Sequence, residues 1–173
     1  MWIFGYGSLI WRPGFDFVER RDGYVRGWAR RFYQGSTDHR GVPGAPGRVA
    51  TLLREEDSRV WGRAFRVAGE EAERIMAQLD HREKGGYARH QVDVICRRGE
   101  PVRDAVVYVA TSDNPAWQGP ATPAQIAGQI RRARGPSGPN IEYLLELAEG
   151  LRAMGVWDAH VFAIEQALLE LEQ

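Results

Sequence analysis

The sequence predicts a mixed α+β fold in which an antiparallel-rich sheet, curled or closed into a small barrel, packs with about four helices. Two observations predict this fold. Short runs rich in valine, isoleucine and aromatic residues fill the first two-thirds of the chain, and helical periodicity dominates the last third. The runs are separated by short polar turns, which favour antiparallel pairing of consecutive strands. Six such strands are enough to curl into a barrel.

Each predicted strand is bounded by residues that favour turns. The six strands span residues 2–5, 23–33, 47–54, 59–67, 88–98 and 104–111. The polar segment 55–58 predicts a hairpin turn between the third and fourth strands, and segment 98–101 predicts another between the fifth and sixth. The valine-rich run 102–109 is typical of a strand with one face on the core.

Three of the four predicted helices lie late in the chain. Thr122 and Pro123 provide an N-cap and a first-turn proline for one helix. Asn140 is expected to cap the next helix, and Asp158 to cap the last. All three helices have apolar residues spaced to face a core.

The earliest predicted helix, residues 69–83, places a carboxylate near the core. Its apolar residues recur at i, i+3, i+4 and i+7 and form one inward stripe: Ala72, Ile75, Met76 and Leu79. Glu83 is the next position on this stripe, and Lys84-Gly85-Gly86 ends the helix directly after it. The spacing therefore predicts an inward carboxylate beside a glycine loop. The alternative is a solvated glutamate paired with Arg82 or Lys84.

Composition narrows the classes of function. With 173 residues, 43% of them hydrophobic, and no apolar run of eighteen, residues 1–173 are expected to form a single soluble domain. Lys plus Arg and Asp plus Glu each total 23, so a formal net charge of zero offers no general attraction for nucleic acid or membrane. The N-terminus lacks a signal-peptide pattern and Cys96 is the single cysteine, so we expect a cytoplasmic protein.

The opening segment is the other candidate for chemistry. Here the apolar run Trp2-Ile3-Phe4 precedes Gly5-Tyr6-Gly7-Ser8-Leu9. Glycines let a ligand approach the backbone closely, and the loop N–H groups with the Ser8 hydroxyl could bind a carboxylate or an oxyanion. The segment matches neither a phosphate-binding loop, nor a dinucleotide fingerprint, nor a nucleophile elbow. The four histidines and one cysteine lack metal-ligand spacing, so we expect no metal site.

Several motifs occur in an order that resembles the ChaC family, the glutathione-specific gamma-glutamylcyclotransferases. The motifs are WIFGYGSLIWRPGF, GWARRFYQGSTDHRG, PGRVATL, WGRAFRV, REKGGY, YVAT, NPAWQGPA and GPNIEYL. They extend from Trp2 to about Leu147, and the helix from Asp158 lies outside them. The short REKGGY spacing is similar to that of the ChaC2-type branch.

The resemblance implies a fold, a reaction and a set of residues. The fold is gamma-glutamylcyclotransferase-like. The α-amine of glutathione attacks its own γ-amide carbonyl and releases 5-oxoproline and cysteinylglycine, without water or cofactor. Glu83 is the catalytic carboxylate, and periodicity points to the same residue. The segment expected to bind the γ-glutamyl group is Ile3, Phe4, Gly5, Tyr6, Gly7, Ser8 and Leu9.

Contacts to the rest of the substrate are left open by the sequence. Tyr143 falls within the last motif and could hydrogen-bond the substrate, although a core tyrosine is the alternative. Arg30, Arg31 and Gln34 could reach the glycine-end carboxylate.

Two other functions stay open. One is a cyclotransferase for other gamma-glutamyl amino acids or amines, and the other is a non-catalytic small-ligand-binding module. The expected partner is a small molecule, with no nucleic acid and no membrane, and the sequence does not distinguish a monomer from a homodimer.

Overall fold

A computed structural model gives the fold of the chain. It describes residues 1–81 and 85–173 in full, together with the helical backbone of residues 82–84. In chain order the strands are β1 (Trp2–Gly5), β2 (Glu19–Ser36), β3 (Gly47–Arg66), β4 (Tyr87–Cys96), β5 (Val102–Ala110), β6 (Arg134–Gly135) and β7 (Gly138–Pro139). The helices are α1 (Gly69–Lys84), α2 (Pro123–Arg132), α3 (Asn140–Ala153) and α4 (Ala159–Leu171).

The first five strands close into a barrel in the order β1, β3, β2, β4, β5. Strand β1 lies antiparallel to β3 and parallel to β5, with Ile3 opposite Val106. Strands β4 and β5 are antiparallel, with Tyr87 opposite Ala110. Closure pairs β1 with β5, the two strands that would otherwise be exposed sheet edges. The predicted mixed fold, with a small barrel and four helices, is confirmed.

Strand β3 differs from the prediction at residues 55–58. The sequence predicts a turn there between two strands, whereas the structure has one strand element throughout Gly47–Arg66. The segment contains neither glycine nor proline, so nothing in its backbone excludes an extended conformation. Its charged side chains are exposed, and the Ser58 hydroxyl donates a hydrogen bond to the Glu55 carboxylate. The polar residues therefore mark a solvated stretch of strand.

The caps of α2 and α4 are the predicted ones, and the cap of α3 is not. Thr122 and Gln125 form a capping box, in which each side chain accepts a hydrogen bond from the backbone N–H of the other. Asp158 accepts a hydrogen bond from the first turn of α4. Asn140, however, is the first residue inside α3, and Pro139 holds the cap position. Asn140 is buried, and its amide hydrogen-bonds to the backbone of Arg48 rather than to the first turn of α3.

The chain divides into two compact units, and each is described by itself. The first contains residues 1–29 and 52–114, and the second contains residues 30–51 and 115–173. In the first unit, α1 packs Ile75 and Leu79 into an apolar core, as its periodicity predicts. The other buried members of this core are Ile3, Leu9, Phe65, Val67, Val106 and Tyr108. That residues 1–173 act as a single domain stays a prediction.

The second unit is tied together by the amide of Asn140. Its Oδ1 accepts the backbone N–H of Arg48 at 2.8 Å, and its Nδ2 donates to the Arg48 carbonyl at 2.9 Å. A side chain thus satisfies both backbone groups of one β3 residue, as a neighbouring strand would. The Arg48 guanidinium in turn donates to the carbonyls of Phe32 and Gly119. Its burial lowers the pKa of Arg48.

A ring nitrogen of His160 supplies another backbone contact in the second unit. Its Nε2 accepts the Phe32 N–H at 2.9 Å. Burial, with a smaller contribution from the nearby Arg31 charge, lowers the pKa of His160 to about 4. Because Nε2 is an acceptor, the neutral ring carries its proton on Nδ1. Protonation of Nε2 would remove the acceptor.

Asn140→Ala should lower the free energy of unfolding by roughly 2 to 4 kcal/mol, because it leaves two buried backbone groups unpaired at about 1 to 3 kcal/mol each. Urea denaturation measures the loss. The control is Glu146→Ala on the exposed face of α3, which we expect to change stability by less than about 0.5 kcal/mol. Equal midpoints for the two variants would contradict the role assigned to the Asn140 amide.

Stability should decrease as the pH falls from about 6.5 towards 4. An unfolded histidine has a pKa of about 6.5, so below this pH the unfolded chain binds a proton that folded His160 does not. The contribution of neutral, buried His160 to the free energy of unfolding is complete above pH 6.5, and it should be smaller by roughly 1 to 2 kcal/mol at pH 5. We expect His160→Gln, whose amide oxygen can accept the same N–H, to lose less stability over this range.

Thermal denaturation at pH 7 and pH 5 measures this difference. His81→Gln is the control for the loss of an exposed histidine. An equal loss of thermal stability between pH 7 and pH 5 in the parent and in His160→Gln would show that His160 does not bind a proton on unfolding.

Candidate active site

Three connections of the first unit meet at one end of the barrel. Strands β1 and β5 are parallel neighbours, so their carboxyl ends lie together, and β4 begins there because it is antiparallel to β5. The loop after β1 (residues 6–9), the link from α1 to β4 (residues 85–86) and the turn after β5 (residues 111–114) therefore share this end. The strand pairing alone brings the opening loop and the end of α1 to the same end.

The opening loop ends in a turn whose first N–H groups are not paired within the turn. Strand β1 ends at Gly5, and a single 3-10 turn follows Gly7, closed by a hydrogen bond from the Ile10 N–H to the Gly7 carbonyl at 2.9 Å. The first N–H groups of the turn, those of Ser8 and Leu9, have no carbonyl of the turn to pair with. No side chain in the described residues caps the turn. The loop therefore offers amide donors suited to a carboxylate or an oxyanion.

Packing explains why residue 5 is glycine. A Cβ on Gly5 would lie 2.6 Å from the Cβ of Leu9, because the loop folds back over the end of β1. On the neighbouring strand β3, a Cβ on Gly62 would lie 2.3 Å from the Gly5 carbonyl oxygen. Two backbones thus approach each other more closely than any side chain permits.

A chain of hydrogen bonds connects the loop to α1. The Tyr6 hydroxyl donates to the backbone carbonyl of Tyr108 on β5 at 2.6 Å, and the Tyr108 hydroxyl donates to the Asp80 carboxylate at 2.7 Å. Burial, followed by the hydrogen bond and charge of Asp80, raises the pKa of Tyr108 to about 12. The phenol therefore stays protonated at neutral pH and remains a donor. Asp80 also pairs with Arg89 at 3.4 Å.

The link after α1 is held by Asn114. Its Nδ2 donates to the Gly85 carbonyl at 2.9 Å, and only 5% of Asn114 is exposed. Gly86 adopts φ +88°, a left-handed conformation that glycine accepts at little cost. Glu83 belongs to the last turn of α1. The side chains of residues 82–84 lie outside the described residues, so the inward orientation of the Glu83 carboxylate stays a prediction.

Tyr143, the other predicted substrate-binding residue, belongs to the second unit. Its hydroxyl accepts the Ala50 N–H at 3.1 Å, and its ring meets Phe32 edge-on with 5.8 Å between centroids. Tyr143 is buried. In the same unit, the Arg30 guanidinium donates to Asp158 at 2.6 Å, so Arg30 is engaged by the residue that caps α4.

Sequence reasoning missed the residues that hold this end of the barrel together. Tyr108 and Asp80 are 28 residues apart, and Asn114 and Gly85 are 29 apart. No helical or strand spacing relates such pairs. The available signals are three of the motifs: YVAT contains Tyr108, NPAWQGPA begins at Asn114, and REKGGY contains Gly85.

Two properties of the described residues bear on the expectations about membranes and metal ions. None of their helices is long and apolar enough to cross a membrane. Within the same part of the chain, no cluster of three or more His, Cys, Asp or Glu side chains has an arrangement that could hold a metal ion.

Comparison with known proteins identifies relatives along almost the whole chain. A family model described as ChaC-like protein matches residues 1–171. A protein of Danio rerio named glutathione-specific gamma-glutamylcyclotransferase 1 is 48% identical over 98% of this chain and 89% of its own. The protein of the same name from Homo sapiens is 45% identical over 97% of this chain and 78% of its own.

Solved structures agree with the sequence comparison. The selenomethionine-labelled gamma-glutamyl cyclotransferase specific to glutathione from yeast superposes with a TM-score of 0.90, at 30% identity over 98% of this chain and 96% of its own. A second crystal structure of the yeast enzyme has a TM-score of 0.86, at 31% identity over 100% and 99%. The fold is therefore that of the gamma-glutamyl cyclotransferases.

Within that class, the chain belongs to the ChaC-like protein family, which confirms the resemblance read from the motifs. Assignment to the ChaC2-type branch stays a prediction.

Gly5→Ala should destabilise the protein by roughly 1 to 3 kcal/mol, because the new methyl group overlaps Leu9 and forces the loop away from β1. Chemical denaturation measures the change. Gly69→Ala is the control, since a Cβ at the start of α1 meets nothing within 4 Å. If Gly5→Ala were as stable as Gly69→Ala, the packing explanation of Gly5 would be wrong.

Proposed function

We propose that this protein is a glutathione-specific gamma-glutamylcyclotransferase that converts glutathione into 5-oxoproline and cysteinylglycine. The observation that carries the proposal is the family match over residues 1–171, with relatives of that name aligned along nearly the whole chain. The convergence of the opening loop and the end of α1 at one end of the barrel supports it.

The reaction is an intramolecular transfer. The α-amine nitrogen of the γ-glutamyl group attacks the γ-carbonyl carbon, a five-membered ring forms, and the C–N bond to cysteine breaks. Atoms balance without water, so the reaction consumes no co-reactant. The α-ammonium has a pKa of about 8 and is not nucleophilic until it loses a proton. The leaving amine needs a proton when the tetrahedral intermediate collapses.

Glu83 performs both proton transfers in this mechanism. Its carboxylate relays protons from the attacking nitrogen to the leaving nitrogen. The α-ammonium loses two protons as it becomes the ring amide N–H, and the leaving nitrogen gains two as it departs as the ammonium of cysteinylglycine. Such acid and base catalysis is typically worth about 100- to 10,000-fold in rate. Two features support the assignment. Glu83 is the next position on the apolar stripe of α1, and it lies in the last turn, at the same end of the barrel as the opening loop.

The opening loop holds the γ-glutamyl group bent for ring closure. Its substrate-binding residues are Ile3, Phe4, Gly5, Tyr6, Gly7, Ser8 and Leu9. Freezing a flexible chain in a reactive geometry can contribute up to roughly 7 to 11 kcal/mol. The N–H groups that begin the 3-10 turn at Ser8 are suited to the developing oxyanion because they need no reorganisation. Tyr143 is the further substrate-binding residue of this proposal.

The proposal also covers the cellular compartment and the substrate preference of the enzyme. We place the enzyme in the cytoplasm, in keeping with its single cysteine. Glutathione is preferred over other gamma-glutamyl amino acids and amines, as the names of the relatives indicate. Competition between glutathione and gamma-glutamyl amines for the purified protein measures that preference.

Glu83→Gln should lower the rate of 5-oxoproline formation from reduced glutathione by at least about 100-fold, because the amide can neither accept nor return a proton. Product analysis by chromatography, without added metal or nucleotide, measures the rate. Glu73→Gln is the matched control, an exposed glutamate on the same helix that should keep the parent rate.

The two variants must have equal thermal midpoints for the rates to be compared. Equal rates for Glu83→Gln and Glu73→Gln would mean that Glu83 is not the base. Absence of both products with the parent protein would overturn the proposed function.

A further inference from the structure

The turn of α1 that carries Glu83 is held on both sides by side chains from β5 and the turn after it. Three residues before Glu83, the Asp80 carboxylate accepts the Tyr108 hydroxyl at 2.7 Å. Two residues after it, the Gly85 carbonyl accepts the Asn114 amide at 2.9 Å. We propose that Tyr108 and Asn114 are positioning residues that fix the Glu83 backbone relative to the opening loop. This inference rests on the proposed function.

Tyr108 contacts both parts of the site. Its hydroxyl binds α1 through Asp80, and its backbone carbonyl accepts the Tyr6 hydroxyl from the opening loop at 2.6 Å. Tyr108 is 4% exposed and Tyr6 is 8% exposed, so neither ring has room to move without disturbing the core. One residue of β5 therefore sets the separation between the loop and the last turns of α1.

The end of α1 needs such restraint. The last turn of any helix lacks part of its internal hydrogen bonding and frays easily. Here two glycines follow it, and Gly86 is in the left-handed region at φ +88°. Ring closure needs the reacting atoms about 3 to 3.5 Å apart, and a displacement of about 1 Å can cost about 100-fold in rate. Anchors on either side of residue 83 oppose that displacement.

The hydrogen bond at Asp80, rather than its charge, is the positioning interaction. Among the described residues, the Arg89 guanidinium pairs with the Asp80 carboxylate at 3.4 Å. Arg89 partly neutralises the carboxylate, and both side chains are almost half exposed, so solvent weakens their field. Asparagine at residue 80 keeps an oxygen that accepts from Tyr108, whereas alanine removes it.

Steady-state kinetics with glutathione as substrate separate the effect of the Tyr108–Asp80 hydrogen bond from the effect of the Asp80 charge. Tyr108→Phe should lower kcat by roughly 10- to 100-fold and change KM by less than about threefold, because the backbone carbonyl that binds Tyr6 is retained. Asp80→Ala should reproduce this loss, and Asp80→Asn should keep kcat within about threefold of the parent. The double variant Tyr108→Phe/Asp80→Ala should lose little more kcat than the more impaired single variant, because the hydrogen bond between the two side chains is already absent in each.

Asn114→Ala tests the anchor on the other side of residue 83, and it should lower kcat with KM little changed. Asp93→Asn is the matched control. Asp93 lies on β4, accepts the Arg103 guanidinium at 2.8 Å and lies outside the proposed site, so kcat should stay at the parent value. Because Asp80 is partly exposed, the Asp80 pair of variants keeps the test available if Tyr108→Phe is unstable.

Three outcomes would count against the inference. An active parent with full kcat in both Tyr108→Phe and Asp80→Ala overturns the positioning role and leaves the proposed function intact. An equal loss in Asp80→Asn and Asp80→Ala, with a shifted pH profile of kcat, overturns the hydrogen-bond explanation in favour of charge. No 5-oxoproline from the parent overturns the proposed function itself. The expected pattern, loss in Tyr108→Phe and Asp80→Ala with retention in Asp80→Asn and Asp93→Asn, supports positioning.

Discussion

The parallel pairing of β1 with β5 is the interaction on which the arrangement of the first unit depends. It closes the barrel, and its direction decides where the chain emerges. Because neighbouring parallel strands end on the same side, the loop after β1 meets the turn after β5. Antiparallel β4 starts on that side as well, so the end of α1, which precedes it, arrives there too. An antiparallel contact between β1 and β5 would have placed the opening loop at the far end from α1.

Buried polar side chains act as structural connectors in both units. In the first unit, Tyr108 and Asn114 hold the end of α1. In the second, Asn140 and His160 pair with backbone groups of β3 and β2 that would be costly to bury unpaired. Such contacts are directional, so they select one arrangement of the elements, which apolar packing alone does not do. The same chemistry therefore serves stability in one unit and the geometry of the candidate site in the other.

Local patterns predicted most of the secondary structure. The apolar stripe of α1, the capping box at Thr122 and the cap at Asp158 depend on residues within one or two turns, and each is found in the structure. The predicted turn at residues 55–58 is wrong because polar residues that favour turns also occur on solvated strands. The predicted cap at Asn140 is wrong because an asparagine that favours caps can also form buried hydrogen bonds. The opening loop and Glu83 could be proposed from motifs and periodicity. The contacts of Tyr108 could not, because they depend on how distant segments meet.

The hydrogen bond from Tyr6 to Tyr108 joins residues that are 102 positions apart in sequence. During synthesis the opening loop leaves the ribosome before the strand that must receive it, which is made about a hundred residues later. Until β5 is added, β1 has an unpaired edge, and its apolar residues Ile3 and Phe4 have no complete barrel to enter. A chain that stops before β5 therefore contains the whole opening loop and all of α1 but not the strand that brings them to one end of the barrel. The candidate site can therefore form only after β5 has been made and has paired with β1.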